Sequence, residues 1–137
     1  MTRTCEIFNA EALLVDDINV TQDKAFLSLS MTSEKWLPID QVKQDQVLNY
    51  LKMKKEQGYA IVGVEQASNS QPLESFVFPE KVVVVLGKEK SGIPVPIMCV
   101  LDHVLEIPQI GLVRSLNVHV TGALVIWEYA KQRLSNK

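Results

Sequence analysis

Apolar residues along this chain fall into short blocks separated by polar stretches. Residues 12–15 (Ala-Leu-Leu-Val) form one block, closed by Asp16 and Asp17. Residues 60–64 (Ala-Ile-Val-Gly-Val) form a second, residues 81–86 (Lys-Val-Val-Val-Val-Leu) a third, and residues 104–107 a fourth. Short runs of this kind predict strands. The 81–86 run is β-branched and does not alternate, which predicts a strand covered on both faces, as in a parallel sheet. Helical spacing appears between and after the strands. Val47, Leu48 and Leu51 share one face, while Lys52, Lys54, Lys55 and Glu56 are solvated. Asp40 is the predicted N-cap of that helix and Gly58 its C′ residue. Residues 115–134 carry Leu116, Val120, Leu124, Trp127 and Ala130 at helical spacing and predict a long closing helix. Ser115 would cap its start, and Lys131 and Arg133 sit near its electronegative end. Shorter helices are expected over residues 2–9 and 21–27 and after Pro94. Residues 66–75, rich in Ser, Asn and Gln, are predicted loop.

Strands alternating with helices predict an α/β fold with a mostly parallel sheet and helices on both faces. No internal repeat or linker divides the 137 residues, so a single domain, 1–137, is expected. Ligands collect at the carboxyl ends of such sheets. Glu65 and Gln66, residues 87–92 and residues 108–111 are therefore the places to search.

Composition removes several classes of function. Hydrophobic residues are 47% of the chain and charged residues 22%, too apolar for a disordered protein. Lys+Arg 14 against Asp+Glu 16 leaves a net charge of −2, which excludes binding to nucleic acid by charge alone. Two cysteines and two well-separated histidines make neither a disulfide scaffold nor a zinc site, and no metal is expected. No apolar run approaches the length of about 18 residues that spans a membrane. The first six residues lack the apolar core of a signal peptide. A soluble protein of the cytoplasm or nucleus is expected.

Three constellations remain as candidate chemistry. Residues 86–93 (Leu-Gly-Lys-Glu-Lys-Ser-Gly-Ile) run from a strand into a glycine-flanked loop. They fail as a phosphate loop, because Glu89 stands where Ser or Thr is required, and GxGxxG is absent too. On spacing alone this is a βα loop with a solvated Lys-Glu-Lys tip. Residues 107–118 (Ile-Pro-Gln-Ile-Gly-Leu-Val-Arg-Ser-Leu-Asn-Val) join a strand end to a helix. Asn117 would lie in that helix's first turn, and taken alone the segment is simple capping. Arg3-Thr4-Cys5-Glu6 says nothing alone. Cys5 and Cys99 are better read as small hydrophobes than as nucleophiles. Asp16 and Asp17 read as solvated carboxylates, and Trp36 and Trp127 as packing residues.

Taken together and in this order, the three constellations resemble the motifs of the SpoU (TrmH) branch of the SPOUT RNA methyltransferases. Residues 3–8 look like the end of motif 1, residues 85–93 like motif 2, and residues 107–111 with 115–118 like motif 3. The resemblance covers essentially the whole chain. It implies an α/β domain with a C-terminal deep trefoil knot. Met1 and Thr2 stand where the family carries Asn and glycines. The domain is thus expected to be N-terminally incomplete in motif 1, with its first strand missing.

The activity implied is S-adenosylmethionine-dependent 2′-O-methylation of a tRNA ribose, at guanosine 18 in the D-loop, releasing S-adenosylhomocysteine. Cofactor-binding residues carried over by the resemblance are Leu86, Gly87, Ile107 and Leu116, with Gln109 and Ile110 as further adenine contacts. Val64 and Glu65 would approach the methionine part. A valine at position 87 is expected to block the cofactor by bulk. Arg3 would be the catalytic arginine, clamping an RNA phosphate and lowering the pKa of the 2′-hydroxyl. Glu89 would hold that arginine or another polar group, and Ser115 and Asn117 would position the nucleoside or Arg3. The resemblance also implies a homodimer through the C-terminal helix. The low charge calls for a further RNA-binding domain. The alternative function is a catalytically inactive RNA-binding or dimerisation module built on this fold.

Overall fold

The computed structural model describes residues 1–113 and 115–136. Arg114, within the third constellation, lies outside the described residues. The chain forms two compact units, Met1–Val47 and Leu48–Lys137.

The first unit contains helix α1 (Thr2–Ile7), strand β1 (Leu13–Val15), a 3-10 turn (Ile18–Gln22), helix α2 (Lys24–Ser30), a second 3-10 turn (Ser33–Lys35) and strand β2 (Ile39–Gln41). β1 and β2 pair in parallel, with Leu13 opposite Ile39. Its buried residues are few and small: Thr2, Cys5, Ser30, Ser33 and Leu37. Burial pushes the Cys5 thiol above its ordinary pKa, which keeps it protonated and inert.

Asp40 is not a helix cap. Its strand pairs with β1, and the next helix starts only at Val47, after a turn over Gln44–Gln46. Cap preferences are local and cannot register a partner strand some 25 residues upstream. Asp16 and Asp17 do more than face water. Asp17 accepts from the Asn19 N–H at 2.9 Å, and Asp16 from the Gln44 N–H at 2.9 Å, which fastens β1 to the chain beyond β2.

The second unit runs α3 (Val47–Glu56), β3 (Ala60–Val64), β4 (Gln71–Pro72), β5 (Val82–Leu86), α4 (Val95–Met98), β6 (His103–Glu106) and α5 (Val118–Ser135). α3 ends as Gly58 foretells. Gly58 has φ +92°, its N–H bonds the Lys55 carbonyl at 3.0 Å, and the Tyr59 N–H bonds the Lys54 carbonyl at 3.1 Å. This is the Schellman pattern, which needs a residue tolerant of left-handed backbone at C′.

The sheet has order β4-β6-β3-β5, and every pairing is parallel. β3 is central and alternates. Val62 and Val64 join a cluster with Leu73, Phe76, Phe78, Leu105 and Val125. On the opposite face Gly63 leaves room for Leu101 and Ile93, whose side chains press where a Cβ would sit. β5 departs from its expected place. Each of its five residues is only half-buried, and among the described residues it pairs with β3 alone. Apolar content marked it as a strand; its rank in the sheet depends on pairings that content does not encode.

α5 is held across the segment before β5 by polar side chains. Gln132 accepts from the Phe78 N–H at 2.9 Å and donates to the Phe76 carbonyl at 2.8 Å. Arg133 donates to the Phe78 carbonyl at 2.7 Å, and the Tyr129 hydroxyl to the Glu80 carbonyl at 2.6 Å. Phe78 meets Phe76 and Tyr129 edge to face, at 4.9 and 5.7 Å.

Asp102 joins β3 to the start of β6. Its carboxylate accepts from the Ile61 N–H at 2.7 Å, its own N–H bonds the Ile61 carbonyl at 2.7 Å, and Lys55 lies 3.2 Å away. Burial pushes this carboxyl up, but the Ile61 N–H and the Lys55 ammonium outweigh it and hold the group below its ordinary 3.8. The stabilisation is therefore present above that pH and lost as the pH falls through the lowered value. Asp102→Ala is expected to cost about 1 kcal/mol near neutral pH, a small figure because the carboxylate is partly solvated. Urea titrations of both proteins over a pH series check this. The gap should narrow only below 3.8, and a gap unchanged throughout would contradict it.

Candidate functional site

A cavity of about 410 Å³ opens at the carboxyl ends of three strands of the second unit. This is where crossover connections leave a crevice and where parallel sheets bind ligands. β3 contributes Val64, followed by Glu65 and Gln66. β5 contributes Leu86, then the loop from Gly87 to Gly92. β6 contributes Glu106, followed by Ile107 and Gln109, and the approach to α5 contributes Ser115 and Leu116. Val118 and Thr121 complete the wall from the first turn of α5.

The loop after β5 is closed on itself. Gly92 N–H bonds the Lys88 carbonyl at 2.8 Å and Lys88 N–H bonds the Gly92 carbonyl at 3.3 Å, leaving Glu89, Lys90 and Ser91 at an exposed tip. Gly92 has φ +69°, a conformation suited to glycine. A Cβ on Gly87 would lie 2.7 Å from the carbonyl carbon of Gly92 and 2.8 Å from the Ile93 nitrogen. A larger residue at 87 therefore collides first with the loop's own backbone, not with space left for a ligand.

Nine of the twelve residues singled out in the sequence line this one cavity: Val64, Glu65, Leu86, Gly87, Glu89, Ile107, Gln109, Ser115 and Leu116. Three do not. Ile110 projects fully into solvent. Asn117 is the N-cap of α5, its side-chain oxygen accepting from the His119 N–H at 2.8 Å. Ser115 therefore does not cap the helix, which begins two residues later than its spacing suggests. Arg3 belongs to the first unit, where it is exposed on α1. Among the described residues its guanidinium makes no hydrogen bond or ion pair, so it is free to meet an anion.

Gln66, named as a place to search, and Val118, the last residue of motif 3, also line the cavity, whereas Glu106 and Thr121 were missed. Glu106 directly precedes Ile107, and Thr121 lies about one helical turn beyond Asn117, so extending the motif by one position or one turn would have reached them.

The lining carries Glu65, Glu89 and Glu106 against Lys88 and Lys90. Such a wall suits a neutral or cationic ligand better than a polyphosphate. Gln109 Oε1 is buried and has no hydrogen-bond partner among the described residues, so it can accept from a donor in the cavity. Among the described residues no cluster of His, Cys, Asp and Glu could hold a metal ion.

A parallel α/β sheet with a glycine-flanked loop and a cavity at its carboxyl ends is the architecture in which α/β proteins hold small ligands. The chain belongs to the SpoU rRNA Methylase family, whose pattern it matches over residues 1–127. It is 48% identical over 134 residues to the mouse tRNA (guanosine(18)-2′-O)-methyltransferase TARBP1, covering 98% of this chain and 8% of that protein. It is 35% identical to the tRNA (guanosine(18)-2′-O)-methyltransferase of Saccharomyces cerevisiae, covering 96% of this chain and 9% of the yeast protein. The chain thus spans less than a tenth of either relative. Among solved structures, the A. aeolicus TrmH/SpoU tRNA modifying enzyme superposes with a TM-score of 0.86 at 25% identity, over 98% of this chain and 68% of that one. The AviRb methyltransferase of Streptomyces viridochromogenes, solved with AdoMet, shares the fold at a TM-score of 0.81 and 21% identity, over 98% and 54%.

Proposed function

We propose that this chain transfers a methyl group from S-adenosylmethionine to a tRNA ribose 2′-oxygen, at guanosine 18. Support comes chiefly from one observation: residues of motifs 2 and 3, far apart in sequence, line a single cavity of cofactor size at the carboxyl ends of the sheet. The names of the mouse and yeast relatives support the choice of tRNA and of guanosine 18.

The residues fit the cofactor. Gln109 Oε1 is a buried acceptor without a donor among the described residues, and an adenine amino group is such a donor. Leu86, Ile107 and Leu116 supply apolar surface for the ring, and three carboxylates suit a cationic ligand. When bound, S-adenosylmethionine offers a methyl on a cationic sulfur whose leaving group is neutral. The protein's own task is then alignment and exclusion of water. Arg3 clamps an RNA phosphate and makes the neighbouring 2′-hydroxyl more acidic; arginine stays protonated, so it is not itself the base, and the hydroxyl proton passes to the phosphate and on to water. Glu89, at the loop tip, orients a polar group of the substrate complex. Ser115 positions the nucleoside at the cavity mouth, and Asn117 supports it by fixing the start of α5. Ile110, although it faces solvent, closes over the adenine with the loop that carries it.

Both units, on this reading, make one methyltransferase domain, and a homodimer forms through α5. Val120, Leu124 and Trp127 lie exposed on that helix at spacings of four and three, one apolar stripe. A net charge of −2 neutralises few phosphates, so a further RNA-binding domain has to supply affinity for tRNA. No helix among the described residues is long and apolar enough to cross a membrane, and tRNA is met in the cytoplasm and nucleus, where we place the protein.

The test is transfer of labelled methyl from S-adenosylmethionine to unmodified tRNA, with the modified nucleotide mapped. Label at the ribose of guanosine 18 is expected. Cofactor binding without transfer would favour the inactive RNA-binding module instead.

A further inference from the structure

We propose that Glu65 is a positioning residue whose carboxylate latches the loop of residues 87–93 to the end of β3, holding the cavity wall and Glu89 in their binding shape. The role for the loop as a ligand wall rests on the function proposed above; the latch itself does not.

Glu65 is firmly placed. Its N–H bonds the Leu105 carbonyl at 2.9 Å, continuing the β3–β6 ladder by one residue. From there its Oε1 accepts from the Ile93 N–H at 3.2 Å, across 28 positions of sequence. The same oxygen lies against Gly92, where a Cβ would collide with it, so glycine at 92 serves the latch as well as the turn. Ile93 is held a second time through its buried side chain, which reaches to 3.1 Å of the Cβ position on Gly63. Residues 88–91, in contrast, are exposed and are tied chiefly by the reciprocal bonds between Lys88 and Gly92. The loop is therefore anchored at its far end by one sheet-borne carboxylate, and a charge-assisted bond suits that task.

Three proteins decide the matter: wild type, Glu65→Ala and Glu65→Gln. Amide exchange of residues 87–93 is read without ligand, and S-adenosylmethionine affinity by calorimetry. In Glu65→Ala the loop amides should exchange about tenfold faster, the scale of one lost hydrogen bond to a charged group, with strands β3 and β6 unchanged. Cofactor affinity should fall about tenfold as well. Glu65→Gln keeps an acceptor oxygen and should recover both to within about threefold. Three outcomes overturn the latch: wild-type loop exchange in Glu65→Ala, faster exchange spread evenly over the sheet, or Glu65→Gln as defective as Glu65→Ala. Should even wild type bind no cofactor, the proposed function fails, while the exchange ratio still decides the latch.

Discussion

Arg3→Ala is expected to lower the rate of methyl transfer by about a hundredfold or more while leaving the affinity for S-adenosylmethionine within about twofold. The asymmetry follows from where the residue stands. Arg3 lies on α1 of the first unit and is exposed, whereas every cavity-lining residue belongs to the second. Among the described residues none bonds its guanidinium, so its removal leaves no described buried partner unsatisfied and costs little stability. What is lost is the planar, permanently charged fork that grips phosphate in two places, which a lysine does not reproduce. Arg3→Lys should therefore recover only part of the rate. Single-turnover transfer and cofactor calorimetry on the same preparations give the two numbers. Loss of cofactor binding in Arg3→Ala would count against the clamp.

Gly87→Val should show the opposite split: cofactor binding lost by about a hundredfold, with transfer failing as a consequence. The cause is internal to the loop. A Cβ at this position meets backbone, the Gly92 carbonyl carbon at 2.7 Å and the Ile93 nitrogen at 2.8 Å. Backbone atoms held by the Lys88–Gly92 pair and by Glu65 cannot rotate aside as a side chain would. Forcing them apart costs about 2 kcal/mol before the ligand is considered, so Gly87→Ala should already be impaired. Gly111→Ala is the control: among the described residues nothing lies within 4 Å of its Cβ position. Equal tolerance at 87 and 111 would refute this account of the loop.

The parts of this molecule that were legible in its sequence are those decided by near neighbours. Gly58 ends α3 because the left-handed C′ position lies only a few residues from the carbonyls it satisfies. Residues 60–64 form β3 with the predicted bounds, since an apolar β-branched run bounded by turn residues has few other uses. Leu86, Gly87, Ile107 and Gln109 reach one cavity because each ends or follows a strand, and parallel strands place their carboxyl ends together. Two short strands stayed hidden. β2 and β4 carry no periodicity of their own and exist through their partners, β1 and β6. The start of α5 was misplaced for a related reason: Ser115 and Asn117 are both good caps, and local preference does not choose between them.

Strand-and-helix alternation, glycine positions and the order of three motifs were settled by local sterics and chemistry, which act within a few residues and are written in the chain. The rank of β5 at the edge of its sheet, the grip of Gln132 and Arg133 on the Phe76–Phe78 backbone, and the reach of Glu65 to Ile93 were settled in three dimensions alone. Each joins residues 28 to 56 positions apart, or turns on which strand lies next to which. Such contacts are selected by the packing of the whole sheet, because a hydrogen bond between distant residues forms only where the fold has already brought donor and acceptor together.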